Sequence, residues 1–435
     1  MTAEIAIMNK NAIALAADSA VTVNINGDSK IFPTANKLFM LSKFHPIGIM
    51  IYGNASLMGI GWEKIIKMYR KKHSKVFFDT TEEYAENFIK FLKDNDKFYD
   101  AEQQKTYFRD YVIRFFNEVC NAIKKYEKDN PNLDKLTNRR NRTKKVEYFC
   151  DIIDKGNNID DIHDSIQFLE KLKSKYAPTL KSFYDIIFEN HKLTKGAKSK
   201  IFNSCYKLFS KDINLSTDSG VVIAGFGEEE MFPSLISLSI NGYIENILRY
   251  RKVDSTNISH SLHSQIKPFA QSEMVYSFIK GINPLCKEEI DKNRINAFDD
   301  YKNKVAEYIK DEFNATNDKV KEVKNKLSLI NKEIYKVLDD SISEWIQKYH
   351  IDPIMSVVSS SPKSELAAMA ESLVNLTSFK RKISSKRETV GGPIDVAIIS
   401  KGDGFIWIKR KHYFSAELNH HFFDNYYEGD NNEKE

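Results

Sequence analysis

Runs of apolar residues broken by short polar turns open the chain. Ala3 to Met8 and Ala12 to Ala17 are almost wholly apolar and flank Asn9-Lys10-Asn11, a turn-forming triplet. Strands without a polar face belong inside a layered structure. Lys37 to Leu41 and Ile47 to Tyr52 repeat the signal around His45-Pro46, which predicts four strands before any helix. A second strand-rich zone runs through Val221 to Gly225, Ser234 to Ile240 and Ile244 to Arg251, with a hairpin expected at Asn241-Gly242. A third brackets Lys401-Gly402-Asp403-Gly404 with Ile394 to Ser400 and Phe405 to Lys409.

Between these zones the apolar period lengthens to that of a helix. Trp62, Ile65, Ile66, Met68 and Tyr69 share a face, as do Tyr107, Phe115, Val119 and Ile123. Residues 129–215 are rich in Lys, Asn and Asp and read as an inserted helical module, and 287–350 as a charged amphipathic helix or helix pair. A further helix from Ser364 to about Lys382 carries Leu366, Met369, Leu373 and Leu376 on one face. The order of strands, helices, strands, helices, strands assigns the α+β class. It favours two sheets packed face to face with helices outside, a four-layer αββα sandwich with two largely helical insertions, over a βαβ repeat. Core segments are expected at 1–128, 216–286 and 351–414, insertions at 129–215 and 287–350, and a C-terminal tail at 415–435. The last residues of that tail, Glu428 to Glu435, have no apolar anchor and read as disordered.

Composition narrows the function classes. Sixty-five basic and 60 acidic side chains leave a net charge of +5 over 435 residues, too little for a nucleic-acid footprint unless clustered. The one concentrated basic run, Arg139 to Lys145, reads as a solvated surface. Cys120, Cys150, Cys205 and Cys286 show no CxxC spacing, which fits a reducing cytoplasm. No leader peptide or apolar run long enough for a bilayer is present, so a soluble chain without a membrane partner is expected. His420-His421 alone defines no metal site, and no glycine-rich phosphate loop occurs. Neither metal nor cofactor is expected.

Thr2-Ala3-Glu4-Ile5-Ala6-Ile7 followed by Ala14-Leu15-Ala16-Ala17-Asp18-Ser19 resembles the opening hairpin of proteasome β subunits and HslV-like peptidases. Asn36-Lys37-Leu38-Phe39-Met40-Leu41 and Gly48-Ile49-Met50-Ile51-Tyr52-Gly53-Asn54-Ala55 are similar, in order and spacing, to the lysine strand and its glycine-ended neighbour. The likeness resumes at Val222 to Phe226 and closes with Gly391 to Ile399 and Gly402 to Ile406. A little under half the chain is covered. The resemblance implies an N-terminal nucleophile hydrolase of the threonine peptidase type: a protease acting on a peptide or protein substrate, assembled as a homo-oligomer, in some relatives served by a separate ATPase or regulator. A catalytically silent scaffold and a small-molecule amidase of the same fold are the alternatives.

The chemistry assigns roles. Removal of Met1, favoured by the small second side chain, leaves Thr2 with a free α-amine of ordinary pKa near 7.7–8.0, so roughly a tenth to a fifth is neutral at pH 7. One residue then supplies both nucleophile and base. Lys37 is the nearby cation that favours the deprotonated hydroxyl, and Asp18 holds that lysine. Lys30, the competing lysine, sits in what reads as a loop. Gly53 is the candidate oxyanion donor, with a simple bend as its structural alternative. Ser272, in Ala270-Gln271-Ser272-Glu273, is either the supporting serine or the cap of the next helix. Ser19 is expected to hydrogen-bond locally. The family's acidic residue and serine ahead of the final Gly-Gly are replaced by Arg387 and Val390, with Glu388 or Thr389 as possible substitutes after a shift.

Overall fold

The structure, a computed structural model, describes residues 3–25, 28–73, 75–132, 134–159, 162, 165–191, 193–213, 215, 218–384 and 390–421. The first strands are β1 (Ala3–Asn9), β2 (Ile13–Ala17), β3 (Val21–Ile25), β4 (Asp28–Phe32), β5 (Leu38–Met40), β6 (Ile47–Gly53), β7 (Ser56–Leu57) and β8 (Ile60–Gly61). Helices α1 (Trp62–His73), α2 (Thr81–Lys93), α3 (Ala101–Asp129), α4 (Lys135–Lys155), α5 (Ser165–Ile187) and α6 (Lys195–Lys207) follow. Next come β9 (Ser219–Gly225), β10 (Ser234–Ile244), β11 (Ile247–Asn257) and β12 (Ser264–Ala270), then α7 (Glu273–Lys280), α8 (Pro284–Glu312) and α9 (Asn317–Ile346). A π-helical turn over Gln347–Ile351 leads to α10 (Asp352–Ser360), and α11 (Lys363–Lys382), β13 (Asp395–Ser400) and β14 (Gly404–Lys409) complete the order.

The architecture is α+β with antiparallel sheets, in two compact units. The first unit comprises residues 1–35, 258–398 and 406–435 and is built on a five-stranded sheet ordered β12-β1-β2-β13-β14. β1 and β2 are buried along their whole length, as their two-sided apolar pattern requires. Ile5, Ile7, Ala14 and Ala16 pack with Leu366, Ala370 and Val374 of α11 and with Val358 of α10. The second unit, residues 36–257 with 399–405, carries a sheet ordered β11-β10-β9-β6-β5. α1 and α2 supply Ile66, Tyr69 and Phe88 to its core against Ile49, Ile223 and Ile240. A capping box between Thr80 and Glu83 starts α2. Helices α3 to α6 build a separate apolar cluster around Phe108, Phe116, Tyr176 and Phe209, so residues 129–215 share their core with α3, which was expected in the preceding core segment.

Three expectations are corrected, and one strand, β12, carries no signal in the sequence. Eight strands, not four, precede α1 among the described residues, because β3–β4 is a ribbon of mixed polarity and β7 and β8 have two residues each. Lys30 therefore lies in β4, not in a loop. β12 pairs with β1 over seven positions although it contains Pro268, which an edge strand tolerates. The hairpin expected at Asn241-Gly242 turns instead at Glu245-Asn246, where φ is 50° and 62°. The apolar run continues through the fully buried Tyr243 and Ile244, and Gly242 takes up a register shift in which a Cβ would meet the Tyr107 ring at 2.9 Å. The 287–350 region is a helix pair, α8 and α9.

Candidate active site

Thr2 lies outside the described residues, but the chain that leads to it is held closely in the first unit. At the end of the β1–β2 ladder the Ala3 N–H donates to Asp18 Oδ1 at 3.0 Å, and the Asp18 N–H donates back to the Ala3 carbonyl at 3.1 Å. Asp18 Oδ2 accepts the N–H groups of Gly391 at 3.0 Å and Ala20 at 3.3 Å. One buried carboxylate thus joins the first strand, its own turn and the Gly391-Gly392 segment, which is over 370 residues away in sequence. Charge-assisted bonds of this kind are stronger than neutral ones and fix backbone direction.

Ser19 reinforces the junction. Its N–H donates to the Gly391 carbonyl at 3.2 Å, its hydroxyl donates to the Pro393 carbonyl, and its own carbonyl accepts the Ala35 N–H at 3.0 Å. The bonds are close in space yet distant in sequence, unlike the local bonding expected. Gly392 has φ +79°, and a Cβ there would meet the Pro33 carbonyl oxygen at 2.8 Å, so this segment approaches too closely for a side chain.

β12 completes the surroundings of Ala3. Ala270, at φ +60°, is paired with Ala3 and ends the strand. Two residues on, Ser272 stands at the N-cap of α7 but makes no side-chain cap bond. The first unit therefore brings Asp18 and the Ala270–Ser272 corner to the same end of β1. Val390, where the sequence resemblance leads one to expect a serine, is 1 % exposed and belongs to the apolar core. Arg387, Glu388 and Thr389 lie outside the described residues.

Lys37 and Gly53 belong to the second unit. Lys37 is buried at the head of β5, where its carbonyl accepts the Ile51 N–H at 2.8 Å. Gly53 ends β6 at φ +81°, exposed, with its ideal Cβ position only 2.5 Å from the Asp218 carbonyl oxygen. The backbone there admits only glycine without strain. The following turn is secured by Trp62 Nε1–H donating to Ser219 Oγ at 2.8 Å, with the Ser219 hydroxyl donating to the Asn54 carbonyl at 3.1 Å.

Reasoning from sequence missed Asp218, which borders Gly53. Its carboxyl accepts the Ser239 hydroxyl at 2.7 Å and the Asn241 side-chain N–H at 2.6 Å, and burial holds its pKa above the usual range. No spacing signal marks it, because its partners sit on a different strand. Two cavities, of about 740 and 710 Å³, lie elsewhere: one is lined by α2 and β11, the other by β12, α7 and α10. Neither is lined by Asp18, Lys37, Gly53 or Ser272.

No protein-family model matches this sequence, and a search of curated proteins finds no match.

Proposed function

We propose that this chain is a proteasome-like threonine peptidase in which mature Thr2 is the nucleophile. The supporting observation is the Asp18 junction, which positions Ala3, and so the attachment point of residue 2, against Gly391 through hydrogen bonds of 3.0 Å on each side. In this reading the fold is the four-layer αββα sandwich. The Thr2 hydroxyl attacks a peptide carbonyl carbon while the Thr2 amine takes its proton. The C–N bond then breaks, the proton passes to the leaving amine, and water hydrolyses the resulting ester to regenerate Thr2. Lys37 supplies the cation, Gly53 the oxyanion N–H and Ser272 a supporting hydroxyl. Substrates are peptides or proteins, and the resemblance adds an assembly of several copies, served in some relatives by a separate ATPase or regulator.

The second reading is a catalytically silent scaffold, favoured by the burial of Val390 in the core where the family places a supporting serine. The deciding experiment is intact mass before and after treatment with an epoxyketone or β-lactone, with peptide mapping of the adduct. The peptidase reading expects loss of Met1 and one adduct on Thr2 that Thr2→Ala abolishes. Retained Met1, or mature Thr2 without an adduct, sinks it in favour of the scaffold. An adduct with turnover of small acyl amides but not of peptides assigns the amidase alternative.

A further inference from the structure

We propose that the α8–α9 hairpin is a self-association surface, on which a second copy of this chain lays the same hairpin in antiparallel register. The two helices meet through a largely polar row. Asn331 Nδ2–H donates to the Phe298 carbonyl at 2.8 Å, the Arg294 guanidinium lies 5.4 Å from the Tyr335 ring centre, and Lys287 pairs with Asp339 at 3.1 Å. Ala306 and Asn331 are the only buried side chains among the described residues of the two helices. Most helix stability in water comes from burying an apolar face, and in these two helices Ala306 is the one fully buried apolar side chain, with Phe298, Val305, Ile309, Val320 and Leu327 half-buried.

The apolar row is elsewhere. On α9, Val323, Leu327, Ile330, Ile334 and Val337 recur at alternating spacings of four and three, the heptad period of a coiled-coil seam. At 100° per residue this row is turned about a third of a revolution from the contact row. Ile330, Ile334 and Val337 are 48 %, 43 % and 64 % exposed, and Val323 and Leu327 are half-buried. On α8, the exposed Ile290, Tyr301 and Tyr308 are turned from the contact row in the same sense. Because the helices run antiparallel, equal senses of rotation bring both rows to one face of the hairpin.

Charge selects the occupant. Residues 317–328 of α9 carry Lys319, Lys321, Lys324 and Lys326 against Asp318 and Glu322, a net +2. Residues 329–346 carry Lys332 and Lys336 against Glu333, Asp339, Asp340 and Glu344, a net −2. Such a helix complements an antiparallel copy of itself and opposes a parallel one. Setting Leu327 against Val337 of the second copy also sets Ile330 against Ile334 of the second copy. The flanking Lys326 then meets Asp340 of the second copy, and Glu333 meets its own equivalent on the two-fold axis. The contact is isologous and closes as a pair.

The test is sedimentation equilibrium of the full chain over a concentration series, a readout independent of catalysis. The wild type associates. Ile330→Lys with Ile334→Lys weakens association by about tenfold or more, because one buried aliphatic side chain alone contributes about that factor. Where other surfaces also assemble, that variant halves the subunit number. Lys326→Glu and Asp340→Lys each weaken the pair, their combination restores it, and Glu333→Gln tightens it. Unchanged far-UV circular dichroism in all five variants separates lost association from lost folding. A wild type that stays monomeric overturns the proposal and leaves the face to a different protein. An assembly indifferent to the two lysines overturns it as well, and a double charge swap no better than its single parents overturns the antiparallel register.

Discussion

A carboxylate that gathers N–H groups from three stretches of chain is costly to remove, because each donor left buried without an acceptor loses about 1–3 kcal/mol. Asp18 accepts from Ala3, Ala20 and Gly391. Asp18→Ala should therefore destabilise the first unit by about 3 kcal/mol or more in urea unfolding, and Asp18→Asn by less, since its amide oxygen still accepts. A loss within 0.5 kcal/mol of zero, roughly what surface substitutions give, would show that the junction is not structural. Gly53→Ala forces a Cβ towards the Asp218 carbonyl at positive φ and should cost about 1–3 kcal/mol whether or not Gly53 serves as an oxyanion donor. At Asp218 burial raises the folded-state pKa from 3.8, so the native state holds a proton that the unfolded state has released. Unfolding free energy then falls as pH rises from the ordinary Asp range through the raised value. Asp218→Asn should remove that fall; denaturation midpoints measured across the acid range check it, and an unchanged slope refutes the assignment.

The clearest tie between elements is Arg249 of β11, which is 2 % exposed. Its guanidinium donates to the Tyr107 hydroxyl at 2.6 Å and to the carbonyls of Leu208 and Lys211 at 3.1 and 3.2 Å, and lies 4.8 Å from the Tyr111 ring centre. One side chain thus joins the sheet of the second unit to its helical module. Arg249→Ala should lower stability by about 3 kcal/mol in equilibrium unfolding, and Arg249→Lys should recover little, because an ammonium has no fork to span three acceptors. A stable Arg249→Lys protein would mean that packing alone holds the module. Legibility also divides at this scale. β1, β2, β6 and β9 were readable because two-sided burial writes an unbroken apolar run. β12 was not, since an edge strand with Pro268 has neither a run nor a clean alternation, and Gly242 resembled a turn because a bulge and a turn make the same demand for a residue without Cβ.

Across the whole molecule, each unit is assembled from distant stretches of chain, with residues 1–35 in one unit with 258–398 and residues 36–257 in the other. The hairpin of α8 and α9 gives the most direct prediction at this scale: a chain whose exposed heptad row carries lysine at 330 and 334 sediments as a smaller assembly than the wild type. The sequence by itself determined where chain must be buried on both faces and where the apolar period turns helical. Local covalent geometry and side-chain polarity suffice for that, because strand and helix periods are short-range properties. Only the tertiary structure decided that Asp18 grips Gly391, that Ala270 faces Ala3, that Val390 is core and that Asp218 underlies Gly53. Those are contacts between residues far apart in sequence, settled by which backbone donors and acceptors folding leaves without other partners.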